Sequence, residues 1–133
     1  MNDPLHTLNQ AELAVMFWQA VVDSGLFPEE ESVMLENPST RAVFPCCTLS
    51  VPLARPLYMG SAYDISITVE VWADKQLDAV RLFEQLRTEL EKLNLRQTGN
   101  VPSQQDDITE KWRFGGYFEG RWNAIDNTFE RNN

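Results

Sequence analysis

The sequence predicts an α+β fold: a mainly antiparallel sheet of about four strands with two helices packed on one face. Three observations predict it. Residues 61–73 alternate between apolar and polar side chains, the period-two signature of a strand covered on one side. Residues 75–94 carry Leu77, Val80, Phe83, Leu86, Leu90 and Leu93 at spacings of three or four, as an amphipathic helix does. Residues 109–123 alternate again, with Trp112, Phe114, Phe118 and Trp122 on one side. Two helices gathered on one face of an antiparallel sheet bury all of these apolar faces at once. A chain of 133 residues is read as a single domain, 1–133, large enough to form a core without a disulfide or metal.

The first helix is expected over about 4–24. Asp3-Pro4 supplies an N-cap residue followed by proline at the first helical position. Leu5, Leu8, Leu13, Met16, Phe17 and Val21 follow at mostly helical spacing, and Ser24-Gly25 with Pro28 supplies the stop. Ser32-Val33-Met34-Leu35 suggests a short strand between two polar loops. The next strand is expected at about 42–53. Pro45 and Pro52 lie within it, and proline donates no ladder hydrogen bond, so this strand is expected to be an edge or to be irregular at its ends. The strand at 61–73 places Tyr63, Ile65, Ile67, Val69 and Val71 inward and Asp64, Ser66, Thr68, Glu70 and Trp72 outward. After the second helix, residues 97–105 carry Gly99, Asn100 and Pro102 and read as a turn-rich connector. The aromatic strand at 109–123 comes next. Its glycines are expected to relieve crowding or mark a bulge. A short last strand is expected at about 127–131.

Composition narrows the function. The chain has 20 acidic and 11 basic residues, a net charge of −9. Nucleic-acid affinity comes mainly from neutralised phosphates, so no nucleic-acid reading is expected. Strand-borne aromatics beside Arg113 and Arg121 do resemble a base-stacking platform, but they fall on the core-facing side of the alternation. The apolar stretch at 13–22 is shorter than the roughly 20 residues a membrane span needs, and the N-terminus lacks the basic opening of a secretory signal. Neither a membrane nor a secretory role is expected. Cys46 and Cys47 are adjacent and would point to opposite faces of a strand, which disfavours pairing and fits a reducing compartment.

No catalytic signature emerges, and the chain is not expected to be an enzyme. Gly115-Gly116-Tyr117-Phe118-Glu119-Gly120 departs from G-x-G-x-x-G and does not lie between a strand and a helix. His6 is the single histidine, too little for a triad or a zinc site together with adjacent cysteines. Asp106-Asp107 and the acidic run at 29–31 read as solvated loops. No catalytic residue, cofactor or metal ligand is assigned.

The polar face of the sheet carries the remaining signal. Asp64 and Glu70 on one strand and Arg113 and Arg121 on another would form cross-strand ion pairs if the strands are neighbours, each worth roughly 0.2–1 kcal/mol. Trp72 and Tyr117 on that face would form an exposed aromatic patch. Trp, Tyr and Arg are the types enriched at binding hot spots. Trp72, Arg113, Tyr117 and Arg121 are therefore the expected oligomer or partner interface.

Four stretches carry a family resemblance: the first helix ending at Asp23-Ser24-Gly25, then "FPCCTLSVPLAR", then "YDISITVEVWA" leading into "LDAVRLFEQLRTELEKLNL", and last "DDITEKWRFGGYFEGRWNAIDNTF". From Ala42 to Phe129 this order resembles the small tail-completion and tail-terminator-like proteins of long-tailed bacteriophages and prophages. The resemblance implies a structural protein without catalytic residues. It implies a ring of identical copies, commonly a hexamer, at the head-proximal end of a phage tail. Its partners would be itself, the tail tube and head–tail connector proteins, and its place the virion, with the bacterial host cytoplasm during assembly. The cysteine pair and the high acidity do not belong to that pattern. A second reading is a small-ligand-binding or adaptor α+β domain, monomeric or dimeric, with a pocket between the second helix and the sheet lined by Phe83, Phe114 and Phe118.

Overall fold

A computed structural model describes residues 9–35, 38, 42–57, 61–126 and 128–130. The first helix, α1, spans Gln10–Asp23. Asn9 caps it in an extended conformation (φ −107°), its side chain accepting from Glu12 N at 3.0 Å. This satisfies one of the amide groups that a helix start leaves unpaired. The start expected at Asp3-Pro4 lies outside the described residues. At the other end Ser24 is the C-cap and Gly25 adopts φ +73°, the left-handed turn that glycine makes without steric cost.

Among the described residues seven strands follow: β1 Val33–Leu35, β2 Cys46–Leu49, β3 Leu53–Leu57, β4 Ala62–Ala73, β5 Arg96–Gln105, β6 Trp112–Asn123 and β7 Thr128–Phe129. The second helix, α2, spans Gln76–Glu91 between β4 and β5. The strands form one curled, mixed sheet in the order β1-β2-β4-β6-β5, with β3 on β4 and β7 on β6. The fold is α+β and every pairing but β1–β2 is antiparallel, but the expected sheet of about four strands is corrected to a mixed one of seven among the described residues.

Three causes account for the difference. The strand expected at 42–53 is broken by Ser50-Val51-Pro52 into β2 and β3, which pair in succession with the two halves of β4. Ser50 bridges the break: its N–H donates to Thr68 O at 2.9 Å and its Oγ accepts from Thr68 N at 2.8 Å. The connector expected at 97–105 is a full strand, β5, paired with β6 through two irregularities at Gln97/Gly99 and Val101/Gln104. Bulges of this kind place glycine and proline in a strand without ending it. Finally, β1 runs parallel to β2, which makes the sheet mixed. Trp18 of α1 anchors it, donating from Nε1 to Val33 O at 2.7 Å. Because β1 covers β2, β2 is not the expected edge. Among the described residues β1 and β5 end the strand order and β3 pairs only with β4, and Pro56 sits in β3.

β4 and β6 pair antiparallel from Ala62↔Asn123 to Ala73↔Trp112. Since β5 is also antiparallel to β6, β4 and β5 are parallel, joined by α2 with β6 inserted between them. Ile65, Ile67, Val69 and Val71 of β4 meet Phe83, Leu86 and Leu90 of α2 and Leu13, Phe17 and Val21 of α1 in one core. Each such side chain contributes roughly 1.5–3 kcal/mol when fully buried. Phe83 packs edge-on to Phe114 (5.2 Å between centroids) and tilted against Phe118 (5.9 Å). A Cβ on Gly116 would stand 2.9 Å from Phe83 Cζ. Gln97 Nε2 at 2.8 Å and the Gly99 carbonyl at 2.9 Å crowd the same position, so α2 and β5 together leave room only for glycine.

Candidate functional site: the outer face of the sheet

Both helices belong to the inner core, and the outer face is built by register. Across β4 and β6 the pairs are Asp64↔Arg121, Ser66↔Glu119, Thr68↔Tyr117, Glu70↔Gly115 and Trp72↔Arg113. Leu53 of β3 lies opposite Ser66, and Thr48 of β2 opposite Glu70. Opposed residues share a face. All four residues expected at the interface, Trp72, Arg113, Tyr117 and Arg121, therefore stand on this face.

Their environments differ. Tyr117 is 44% exposed, alongside exposed Val51 and Leu53. Trp72 is only 3% exposed, so the expected exposed patch of Trp72 with Tyr117 is corrected. Pro38 and the β5–β6 turn bound a cleft of about 360 Å³ with Trp72 and Arg113. The indole N–H donates to Thr48 Oγ1 at 3.0 Å, and the Arg113 guanidinium lies 5.4 Å from the ring centroid. A strand pattern identifies the face of a tryptophan, not what folds over it.

The cross-strand ion pairs form as the alternation suggests. Arg113 Nε is 3.6 Å from Glu70 Oε2, and Arg121 Nε is 3.6 Å from Asp64 Oδ1 and 3.9 Å from Glu130 Oε2. Arg55 also pairs with Asp64. These arginines are engaged within one chain, and the more exposed pairs, those of Asp64, contribute little stability.

Glu70 is the least settled group on this face. Its Oε2 is buried without a hydrogen-bond partner. Burial pushes its carboxyl above the usual range, and Arg113 opposes this only in part. Gly115 lies opposite it, where a Cβ would fall 2.8 Å from Glu70 Cγ and 2.2 Å from Val69 O. A side chain at 115 is thus excluded by the carboxylate arm and the neighbouring backbone together.

The β5–β6 turn is tied by Asp106. Its Oδ2 accepts from Thr109 N (2.8 Å), Thr109 Oγ1 (2.9 Å) and Ile108 N (3.2 Å). These bonds, led by that from Thr109 N, hold its carboxyl below the ordinary range. The turn presents Ile108 at 92% exposure. Asp106, read from sequence as part of a solvated carboxylate run, is instead the pin of this turn.

The remaining candidates fall elsewhere. Cys46 and Cys47 are free and buried, with Cys46 opposite Trp72 and Cys47 opposite Val71, hence on opposite faces. Burial pushes the Cys46 thiol up to about 12 against the opposing effect of Lys111, and pushes Cys47 up as well. Neither is a poised nucleophile. Among the described residues no group of three or more His, Cys, Asp or Glu side chains could hold a metal ion. No described helix is long and apolar enough to cross a membrane. His6 lies outside the described residues. The space where a ligand pocket was expected, under α2, is filled by the packed rings of Phe83, Phe114 and Phe118. Sequence reasoning missed Thr48, Ser50, Val51 and Leu53 as outer-face residues. Pro52 was the available signal, since it marks the break that brings them to the rim.

No protein-family model matches this chain, and a search of curated proteins returns no match. What fold and site together define is a class: an α+β chain whose sheet has one face covered by helices and an outer face carrying exposed Val51, Leu53 and Tyr117.

Proposed function

We propose that this chain is a virion-assembly protein of the tail-completion kind, without catalysis, acting as a ring at the head-proximal end of a phage tail. The observation that carries the proposal is the outer sheet face. Val51, Leu53 and Tyr117 are exposed there, with Leu53 on β3, which among the described residues pairs on one side only, with β4. An exposed aromatic on the sheet face suits contact between copies, and a strand paired on one side suits strand addition from a partner. The order of elements from Ala42 to Phe129, on which the family resemblance rests, supplies the phage context. In this reading the partners are further copies of the chain, commonly six, with the tail tube and head–tail connector proteins. The site of action is the virion, reached from the host cytoplasm.

Ring closure requires heterologous contacts, one patch meeting a different patch on the next copy. Native mass across a concentration series, with and without purified tail tubes, tests this. A closed ring is expected, with Tyr117→Ala folded but weakened in self-association by more than about tenfold, the scale of a lost hot spot. A strict monomer in both conditions overturns the proposal.

A further inference from the structure

Heterologous contacts need a second patch, one that differs from the exposed outer face and cannot meet it within one molecule. The β5–β6 turn has these properties. Ile108 at its tip is 92% exposed, and the turn beneath it is held in one shape. Besides the bonds to its carboxylate, Asp106 donates from its N–H to Lys111 O, and Glu110 N donates to Asp106 O, both at 2.8 Å. Gln105 Nε2 donates to Glu110 O at 2.9 Å, and Lys111 pairs with Asp74. A turn ordered in advance loses little freedom on docking. It follows the Ala73↔Trp112 end of the β4–β6 ladder, whereas Leu53 lies opposite Ser66. Seven residues of β4 separate these points, about 23 Å at roughly 3.3 Å per residue. Around Leu53, the residues Arg55, Asp64, Ser66 and Glu119 bound a cleft of about 290 Å³, and Tyr117 stands in the next row of the same face.

We infer that the Ile108 turn of one copy seats in the Leu53 cleft of the next, a head-to-tail contact that deepens the ring reading above and rests on it. Ile108 would leave water against Leu53, itself 69% exposed, and Tyr117, and apolar burial of this kind drives association. The flanking charges match. Asp107, next to Ile108, is exposed. The Arg55 side chain is 75% exposed even though it pairs with Asp64, a carboxylate it shares with Arg121. A guanidinium carries five donors, so Arg55 can take a second carboxylate, that of Asp107. Glu119 stands across Ser66 on β6 and repels an incoming acid, which directs Asp107 to the β3 side of the cleft. The ion pair sets the direction of docking, and the apolar contact supplies its strength. Because turn and cleft lie at opposite ends of the ladder, each copy offers one of each to its neighbours, as heterologous assembly requires.

The test compares the full wild-type chain with Ile108→Asp and Leu53→Asp by native mass across a concentration series, alone and with purified tail tubes. Both side chains are exposed, so the urea midpoints of the variants should match the wild type. Each variant should weaken self-association by more than about tenfold, the scale of a lost hot spot. An equimolar mixture of the two should form a species of two chains and nothing larger, because Ile108→Asp keeps an intact cleft and Leu53→Asp an intact turn. Asp107→Ala and Arg55→Ala combined should weaken association by less than the product of their separate effects, the mark of residues in contact. Wild-type association that neither aspartate disturbs overturns this contact and leaves the ring reading standing. Variants that stay monomeric when mixed at the highest attainable concentration overturn it too, since the two residues then serve separate contacts. A wild type that is monomeric under both conditions overturns the contact and the ring together. Loss of tail-tube binding by Ile108→Asp with self-association intact assigns the turn to a tail protein and overturns the inference.

Discussion

Trp72 and Tyr117 stand on one face of the sheet, and their positions give them different work. Trp72 is packed against Thr48 and Arg113 and buried. Tyr117, one row beyond Gly115, is exposed. Trp72→Ala should therefore cost about 3–5 kcal/mol of stability, the range for truncating a buried aromatic, measured by urea denaturation. Tyr117→Ala should change stability by no more than about 0.5 kcal/mol, as surface substitutions do. If the two variants unfold at the same urea concentration, the distinction drawn here is wrong. At this scale the alternation of residues was legible, and the Asp64–Arg121 and Glu70–Arg113 pairs followed from it. The burial of Trp72 was not legible, because its indole is held by Thr48 of β2 and lies beside Arg113 of β6, both distant in sequence.

At the scale of elements, capping and punctuation explain most boundaries. Asn9 begins α1 by binding Glu12 N, and no second side-chain cap for that end is described. Asn9→Ala should destabilise the protein by about 1 kcal/mol, visible as a lower urea midpoint with an unchanged slope. An unchanged midpoint would mean that packing of Leu13, Phe17 and Val21 alone sets the start of the helix. The short strand suggested at Ser32–Leu35 is present as β1, held by the Trp18 indole. β5 was hidden because its partner, not its composition, makes it a strand. With no apolar face of its own, RQTGNVPSQQ gives no periodic signal, and the ladder to β6 overrides its turn residues.

Charge acts on the whole molecule. The first 40 residues hold seven acids and no Lys or Arg, so most of the net charge of −9 resides in that segment. Copies therefore repel one another at long range, and salt screens this repulsion over about 10 Å at 0.1 M. If the proposed ring forms, its association should strengthen as sodium chloride rises from about 20 mM to about 150 mM, read by sedimentation velocity. Weaker association on adding salt would mean that attraction between unlike charges, not the apolar outer face, holds the copies together.

The sequence by itself determined the two helices, the inward row of β4, the aromatic row of β6 and the ion pairs between them. These follow from periodicity and from residues that are neighbours across a single ladder, which local chemistry encodes. Tertiary structure alone decided that the sheet has seven strands among the described residues and is mixed, that β2 is covered by β1, and that Trp72 is buried. It alone left Glu70 partly buried beside Thr48 of β2. Each of these depends on which distant segment comes to lie beside a strand, and a strand pattern is silent about the neighbour that completes its hydrogen bonds.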